Sequence, residues 1–279
     1  MNESKNSDAE PPGRLKIGIT FNLKKNINSA LINSDLADSS ALSDSSALSD
    51  SFALIDAEAE FDDEDTIKAI RSVLEASGFP VELYEATEDL PLRLIRNKPD
   101  IVFNIAEGRR GRGREAQVPA ILNYLHIPFS GSDETTMCIA MDKALTKRLV
   151  ASCGVNTPKY QLAKCGAPFQ ADAALSFPLI IKPNTEGSSK GISNFSIVED
   201  TAALQQVLAE KISAYKQDML IEEYISGREF TVGILGNGDK LRVFPPMQTA
   251  QKPAKTTIYV LEYPQFPIFF CLLLELPNA

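Results

Sequence analysis

Histidine is almost absent from the sequence: His126 stands alone. A zinc centre would have to draw nearly every ligand from carboxylates, and a serine hydrolase would have a single candidate base, so both classes are set aside. The four cysteines, Cys138, Cys153, Cys165 and Cys271, form no CxxC pair, and the opening MNESKNSDAEPPGRLK is polar and unlike a signal peptide. They read as reduced thiols of a cytoplasmic protein. Long hydrophobic runs are also missing. The apolar stretch 268–274 falls far short of the roughly 20 residues that cross a bilayer, so no membrane partner is expected. Lysine and arginine are lacking between Asn26 and Ile67, where 11 Asp and Glu fall. Outside that segment 26 acidic residues face 28 basic ones. The net charge of −9 is therefore local, and the near-neutral remainder suggests neither a nucleic-acid partner nor repulsion of anionic ligands.

What is present divides along the chain. Residues 1–13 read as a disordered leader and RLKIGITF as a buried first strand. From Asp38 a six-residue unit repeats three times, DSSALS DSSALS DSFALI. Six fits no helical period, and Ser and Asp favour turns and disorder, so 26–60 reads as a low-complexity insertion. DDEDTIKAIRSVLEASG has acidic residues in its first turn, Ile67, Ile70, Val73 and Leu74 as an apolar face, and Gly78 as its stop. It predicts a helix. The strands PVELYEA and PDIVFNIAEG and the helices DLPLRLIRNK and REAQVPAILNYLHI follow. Such alternation predicts an α/β domain over 14–134 with an open parallel sheet. From residue 135 the pattern changes. MDKALTKRLVASCG and TAALQQVLAEKISAYKQ read as helices, and KYQLAK, FPLIIKP, ISNFSIVE, DMLIEEYI, REFTVGILG and KLRVFPPMQ as mostly antiparallel strands. They predict an α+β domain over 135–235. The end, 236–279, has no helical period, caps or polar alternation in its apolar run, and reads as a buried edge or a disrupted terminus.

One stretch bears on chemistry. In IIKPNTEGSSKGIS, an apolar strand ends in Lys182, and Gly187-Ser188-Ser189-Lys190-Gly191 follows. Glycines allow close backbone approach to a phosphate, hydroxyls add donors, and lysines add charge. A hairpin turn has the same composition, and the pattern is not the P-loop GxxxxGK[ST]. Lys143 opens a helix, where the dipole does not favour a cation, and a solvated helix face is the plain alternative. In LIEEYISGREF, Glu222, Glu223 and Glu229 surround a strand end. They fit partners of ribose or adenine, or rim charges. Gly111-x-Gly113-x-x-Ala116 weakly matches a dinucleotide fingerprint, with Asp133 downstream. The arginines of the same run, Arg109, Arg110, Arg112 and Arg114, suit an RNA patch less well than an anion or a substrate carboxylate.

Four segments in order, IPFSGSD, MDKALTKRL, IIKPNTEGSSKGIS and LIEEYISGREFTV, make the chain resemble the ATP-grasp superfamily, and within it the D-alanine–D-alanine ligase-like proteins, over about residues 100–235. The resemblance implies that EGSSKG is a flexible loop over the phosphates of ATP. It implies that Lys143 and Lys182 contact those phosphates, with Gly187, Ser188 and Ser189 in the loop and Ser188, with Lys182, near the reacting groups. It further implies that Glu222, Glu223 and Ile225 meet adenine and that Glu229 meets the ribose. The implied chemistry is phosphoryl transfer from ATP to a carboxylate, then attack by an amine to give an amide, with Mg2+ as the cofactor ion. A small amino-acid-like substrate and a homodimer belong to the same expectation.

Three departures from the family pattern are visible. Glu107 stands where these ligases carry histidine, although Glu115 matches their acidic residue, so Glu107 and Glu115 are the expected substrate-side pair. The glutamate that follows the first strand in the family is not apparent in TFNLKKNINS. The family's metal ligands, an Asp and an ExN pair, are not found after Thr249; in LELPNA, Glu275 and Asn278 are one residue too far apart. The expectation is an ATP-grasp chain whose C-terminal ATP-grasp part is incomplete, weak as a ligase, or alternatively a nucleotide-binding remnant.

Overall fold

The computed structural model describes residues 14–24, 60–187 and 196–249. The leader 1–13, the repeat from Asp38 and the tail beyond Thr249 lie outside them. The described residues fall into two compact units, 14–24 with 60–134, and 135–187 with 196–249.

In the first unit β1 (Ile17–Phe21), β2 (Val81–Glu85) and β3 (Ile101–Asn104) form a parallel sheet in the order β2-β1-β3. Ile17 is opposite both Val81 and Ile101. Alternation along each strand sorts side chains to two faces. Ile19 and Phe21 pack with Val81, Leu83 and Phe103 against Ile67, Ile70 and Leu74 of α1 (Glu64–Ala76). On the other face Tyr84 and Val102 pack against Leu90 and Leu94 of α2 (Leu90–Arg96) and Leu122 of α3 (Gln117–Tyr124). Gly18 belongs to that second face: a Cβ there would lie 3.1 Å from Pro99, Tyr84 and Val102. Asp63 caps α1 by accepting from Thr66 N at 2.7 Å, and Gly78 leaves the helix at φ +89°. Val73 departs from the expected apolar face and is 59% exposed. Six residues on from Ile67, it is about 120° round the helix and misses the sheet.

The second unit carries α4 (Glu134–Met141), α5 (Lys143–Ser152) and an antiparallel sheet of β4 (Tyr160–Ala163), β5 (Leu179–Pro183), β6 (Ile197–Val198) and β7 (Met219–Glu223), ordered β4-β7-β5-β6. Helix α6 (Thr201–Tyr215) covers one face, where Leu204 and Leu208 meet Leu179, Ile181, Met219 and Ile221. Each such side chain contributes about 1.5–3 kcal/mol by leaving water. Register places Tyr160 opposite Glu222 and Lys182 opposite Leu220, so these four share the other face. Four short strands complete the described chain: β8 (Glu229–Thr231) pairs with β11 (Met247–Thr249), and β9 (Ile234–Leu235) with β10 (Arg242–Val243).

Among the element boundaries that differ from the sequence expectation, two have a clear cause. Met141 closes α4 rather than opening α5, because the Asp142 side chain accepts from Leu145 N and starts a new helix. REFTVGILG is two strands, not one: the backbone breaks after Thr231 and β8 and β9 take different partners.

Candidate functional site

The chemistry of the second unit gathers where β5 ends. Asn184, buried one residue beyond the strand, clamps the first turn of α5. Its carbonyl accepts from Lys143 N at 3.1 Å, its side-chain oxygen from Ala144 N at 3.0 Å, and its amide donates to Asp142 Oδ1 at 2.9 Å. The clamp ties Lys143 to the strand that carries Lys182. The Lys143 ammonium then donates to the carbonyl of Glu186, in the segment leading to Gly187. This contact gives a cation at the helix start a partner outside its own unfavourable dipole.

Lys182 donates to Glu222 from the neighbouring strand, a diagonal cross-strand pair on one face. The other Glu222 oxygen takes the ammonium of Lys147, one turn along α5 from Lys143, at 2.7 Å. The three side chains are 20% (Lys182), 9% (Glu222) and 11% (Lys147) exposed. Burial works to raise the Glu222 carboxyl, but the adjacent Lys182 and Lys147 ammoniums outweigh it and hold it below the usual carboxylate range. Lys147 also lies 5.2 Å from the Tyr160 ring centre, and the Tyr160 hydroxyl donates to Ala144 O at 3.2 Å. Three lysines, Lys143, Lys147 and Lys182, thus gather about this strand end, together with the carboxylates of Asp142, Glu186 and Glu222.

The expected residues are placed unequally. Lys143, Lys182 and Glu222 come together. Glu223 points the other way along the strand alternation, accepting from Ser176 N at 3.0 Å, with Lys159 at 3.9 Å. Ile225 is 71% exposed after the strand, and Glu229 is exposed at the start of β8. Gly187 is the last described residue before the loop, and Ser188 and Ser189 lie outside the described residues. Lys147 and Asn184 were missed from sequence, since a lysine on a helix reads as solvated. Asp142 carried a usable signal, an N-cap residue directly before a helix.

A second cluster occupies the first unit. Asn22, just past β1, accepts from Glu107 N at 2.9 Å and Gly108 N at 3.0 Å. Gly108 has φ +75°, and a Cβ there would meet Arg114 O at 2.0 Å, so only glycine fits this turn. The turn gathers Glu107, Glu115 and Glu60, whose carboxylate oxygens lie within 4.8 Å of one another. Arg114 pairs with Glu60 at 2.6 Å, both side chains buried. Burial, then the charges of Glu115 and Glu60, push the Glu107 carboxyl up to about 8 against the pull of Arg114. At neutral pH Glu107 thus keeps its proton and offers a donor. Glu60 sits at the edge of the expected insertion, and the repeat that separates it from β1 hid it as a partner.

The same turn bears on the weak dinucleotide match and on the arginine run. Arg114 N and Ala116 N donate to Gly111 O and Gly113 O at 3.2 and 3.1 Å, and a three-residue 3-10 turn precedes α3. The N–H groups that a dinucleotide phosphate would need are therefore spent at these positions. Arg109 pairs with Glu88, and Arg114 is buried in its pair with Glu60.

Nucleotide phosphates fit the lysine-lined strand end by charge. Magnesium does not find a set of ligands there among the described residues: Glu222 is taken up by two ammoniums, and the three-carboxylate group is in the first unit beside Arg114. Among the described residues no helix is long and apolar enough to cross a membrane.

The parallel α/β unit and the antiparallel unit with its clamped lysines together have an ATP-grasp fold. Comparison narrows the resemblance to D-alanine–D-alanine ligases. A family model described as D-ala D-ala ligase C-terminus matches residues 149–264, running past Thr249, where the sequence reading placed the divergence. A D-alanine–D-alanine ligase of Gloeobacter violaceus is 34% identical over 173 residues, covering 60% of this chain and 55% of that protein. One from Aquifex aeolicus is 34% identical over 178 residues, covering 64% and 59%. An uncharacterized protein of Sinorhizobium fredii is also 34% identical, over 188 residues, covering 64% and 54%. The chain thus spans little more than half the length of these curated relatives. The crystal structure of D-alanine–D-alanine ligase from Bacillus anthracis complexed with ATP superposes with a TM-score of 0.54 at 21% identity, covering 90% of this chain and 72% of that one.

Proposed function

We propose that the protein is an ATP-dependent, ADP-forming carboxylate–amine ligase of the D-alanine–D-alanine type. One observation carries the reading: Asn184 binds the Lys143 turn to the strand of Lys182, gathering cationic side chains where the chain enters Gly187 and the loop beyond. In this role Lys143 and Lys182 neutralise the phosphates, and Gly187, Ser188 and Ser189 cover them. The strand end at Glu222, with Glu223 and Ile225, meets adenine, and Glu229 meets the ribose. Phosphoryl transfer to a substrate carboxylate gives an acyl phosphate. Attack by an amine then forms the amide, leaving ADP and phosphate. A covering loop serves this chemistry by excluding water that would hydrolyse the acyl phosphate. Glu107 and Glu115, joined by Glu60, bind an amino-acid-like substrate, with protonated Glu107 as a donor. Ligases of this name among the relatives support the substrate class. Cytoplasmic location and a homodimer belong to the same proposal.

A second reading, a nucleotide-binding protein with weak or no ligase turnover, draws support from Glu222. Its two lysine partners leave no carboxylate set for magnesium beside the phosphate lysines among the described residues. Calorimetric titration of ATP, with and without magnesium, into the wild type and Lys182→Ala tests the nucleotide site. Binding at least about tenfold weaker in the variant is expected, and a folded chain without ATP binding sinks the proposal. Amino-acid-dependent ADP release then separates ligase from binder.

A further inference from the structure

We infer that Lys147 is a positioning residue: it serves as the standing counter-ion of Glu222, and so frees Lys182 to move from that carboxylate to a bound phosphate. The inference rests on the nucleotide reading above and assigns a role to a side chain that the reading does not use.

The Glu222 carboxylate is shared, one oxygen on Lys182 and the other 2.7 Å from Lys147. Its side chain is slightly more buried than that of Lys147, and Lys182 is the more exposed of the two lysines. Leaving a buried carboxylate without a partner is strongly unfavourable, and removing the sole partner of a buried pair is the costly step. With two ammoniums present, one can leave and the charge stays compensated. Lys182, the more exposed of the two, is the one placed to leave. Lys147 is held in place: it springs from the middle of α5 and lies over the Tyr160 ring, whose hydroxyl is tied to the same helix. Without Lys147, Glu222 has Lys182 alone and holds it, and a phosphate must break a buried pair to recruit that lysine.

The test has one arm that uses no nucleotide. Lysine acylation by an N-hydroxysuccinimide ester, read by mass spectrometry at Lys182, reports how firmly Glu222 holds it. In Lys147→Met, labelling at Lys182 falls severalfold below wild type, and Lys147→Arg restores it. Lys147→Gln, which keeps a hydrogen-bond donor but no charge, behaves as the Met variant and serves if that one does not fold. In the second arm ATP affinity falls at least about fivefold in the Met and Gln variants, is rescued in Arg, and keeps its loss at high salt, where a long-range charge effect would fade. Unchanged Lys182 labelling in folded Met or Gln variants overturns the inference, as does failure of Arg to rescue. If labelling responds as stated but wild type binds no ATP, the ion-pair role stands and the nucleotide reading fails.

Discussion

Glu107 is a carboxyl kept protonated by its surroundings, and its burial among Glu115 and Glu60 makes a measurable pH dependence. Its folded value, about 8, lies above the ordinary 4.5. Between those values the folded protein holds a proton that the unfolded chain has released, so stability falls as pH rises through that window. Below it both states are protonated and the group contributes no slope. Above it both are ionised and the full cost is present. Glu107→Gln removes the penalty, so its stability relative to wild type should rise by up to about 4 kcal/mol from pH 5 to pH 8. Urea unfolding at both pH values measures this, and parallel pH profiles for the two proteins would show that Glu107 is not a buried acid. From sequence, Glu107 and Glu115 were visible as a pair through the family resemblance, which placed both on the substrate side. Glu60, Asn22 and Arg114 were not. Partnership across a long insertion has no local periodicity, and a buried arginine in an Arg-Gly run looks like a solvated one.

At the scale of elements, two side chains from different segments decide how the site is held. Asn184 receives Ala144 N and donates to Asp142, while its own carbonyl receives Lys143 N. Asn184→Ala leaves the backbone carbonyl contact but orphans the Ala144 N–H and one bond of the cap. A loss of about 1–3 kcal/mol in stability is expected from a buried donor left without its partner. Because α5 is then loosened from β5, ATP affinity should fall more than in Asp63→Ala, a cap of similar kind on α1 that costs about 1 kcal/mol. Thermal unfolding and calorimetry on both variants separate the two, and equal ATP affinities would remove Asn184 from the site. The long elements were legible: α1 through its acidic first turn, β5 and β7 through apolar runs ending in Lys182 and Glu222. Helix α4 was not, because its small apolar stripe merges into MDKAL and only the Asp142 cap separates the two helices. Strands β8 to β11 are two or three residues each, too short for alternation to mark where one ends.

For the whole molecule, the apolar interior of the described residues divides by unit. The clusters around Tyr84 and Ile19 draw only on the first unit, and the one around Ile181 and Leu204 draws only on the second. Ile181 is fully buried under α6, and the alternation that points it inward points Lys182 outward on the next residue. Ile181→Ala should cost about 2–5 kcal/mol. Hydrogen exchange should quicken in β5, β7 and α6, while the amides of β1, β2 and β3 keep their wild-type protection. The same cavity should weaken ATP binding without touching a ligand-facing atom, because the strand that carries Lys182 is then held less firmly against α6. Exchange that quickens equally in both units would mean that the two cores unfold as one, and that the change from α/β alternation to antiparallel strands near residue 135 does not mark a boundary in stability.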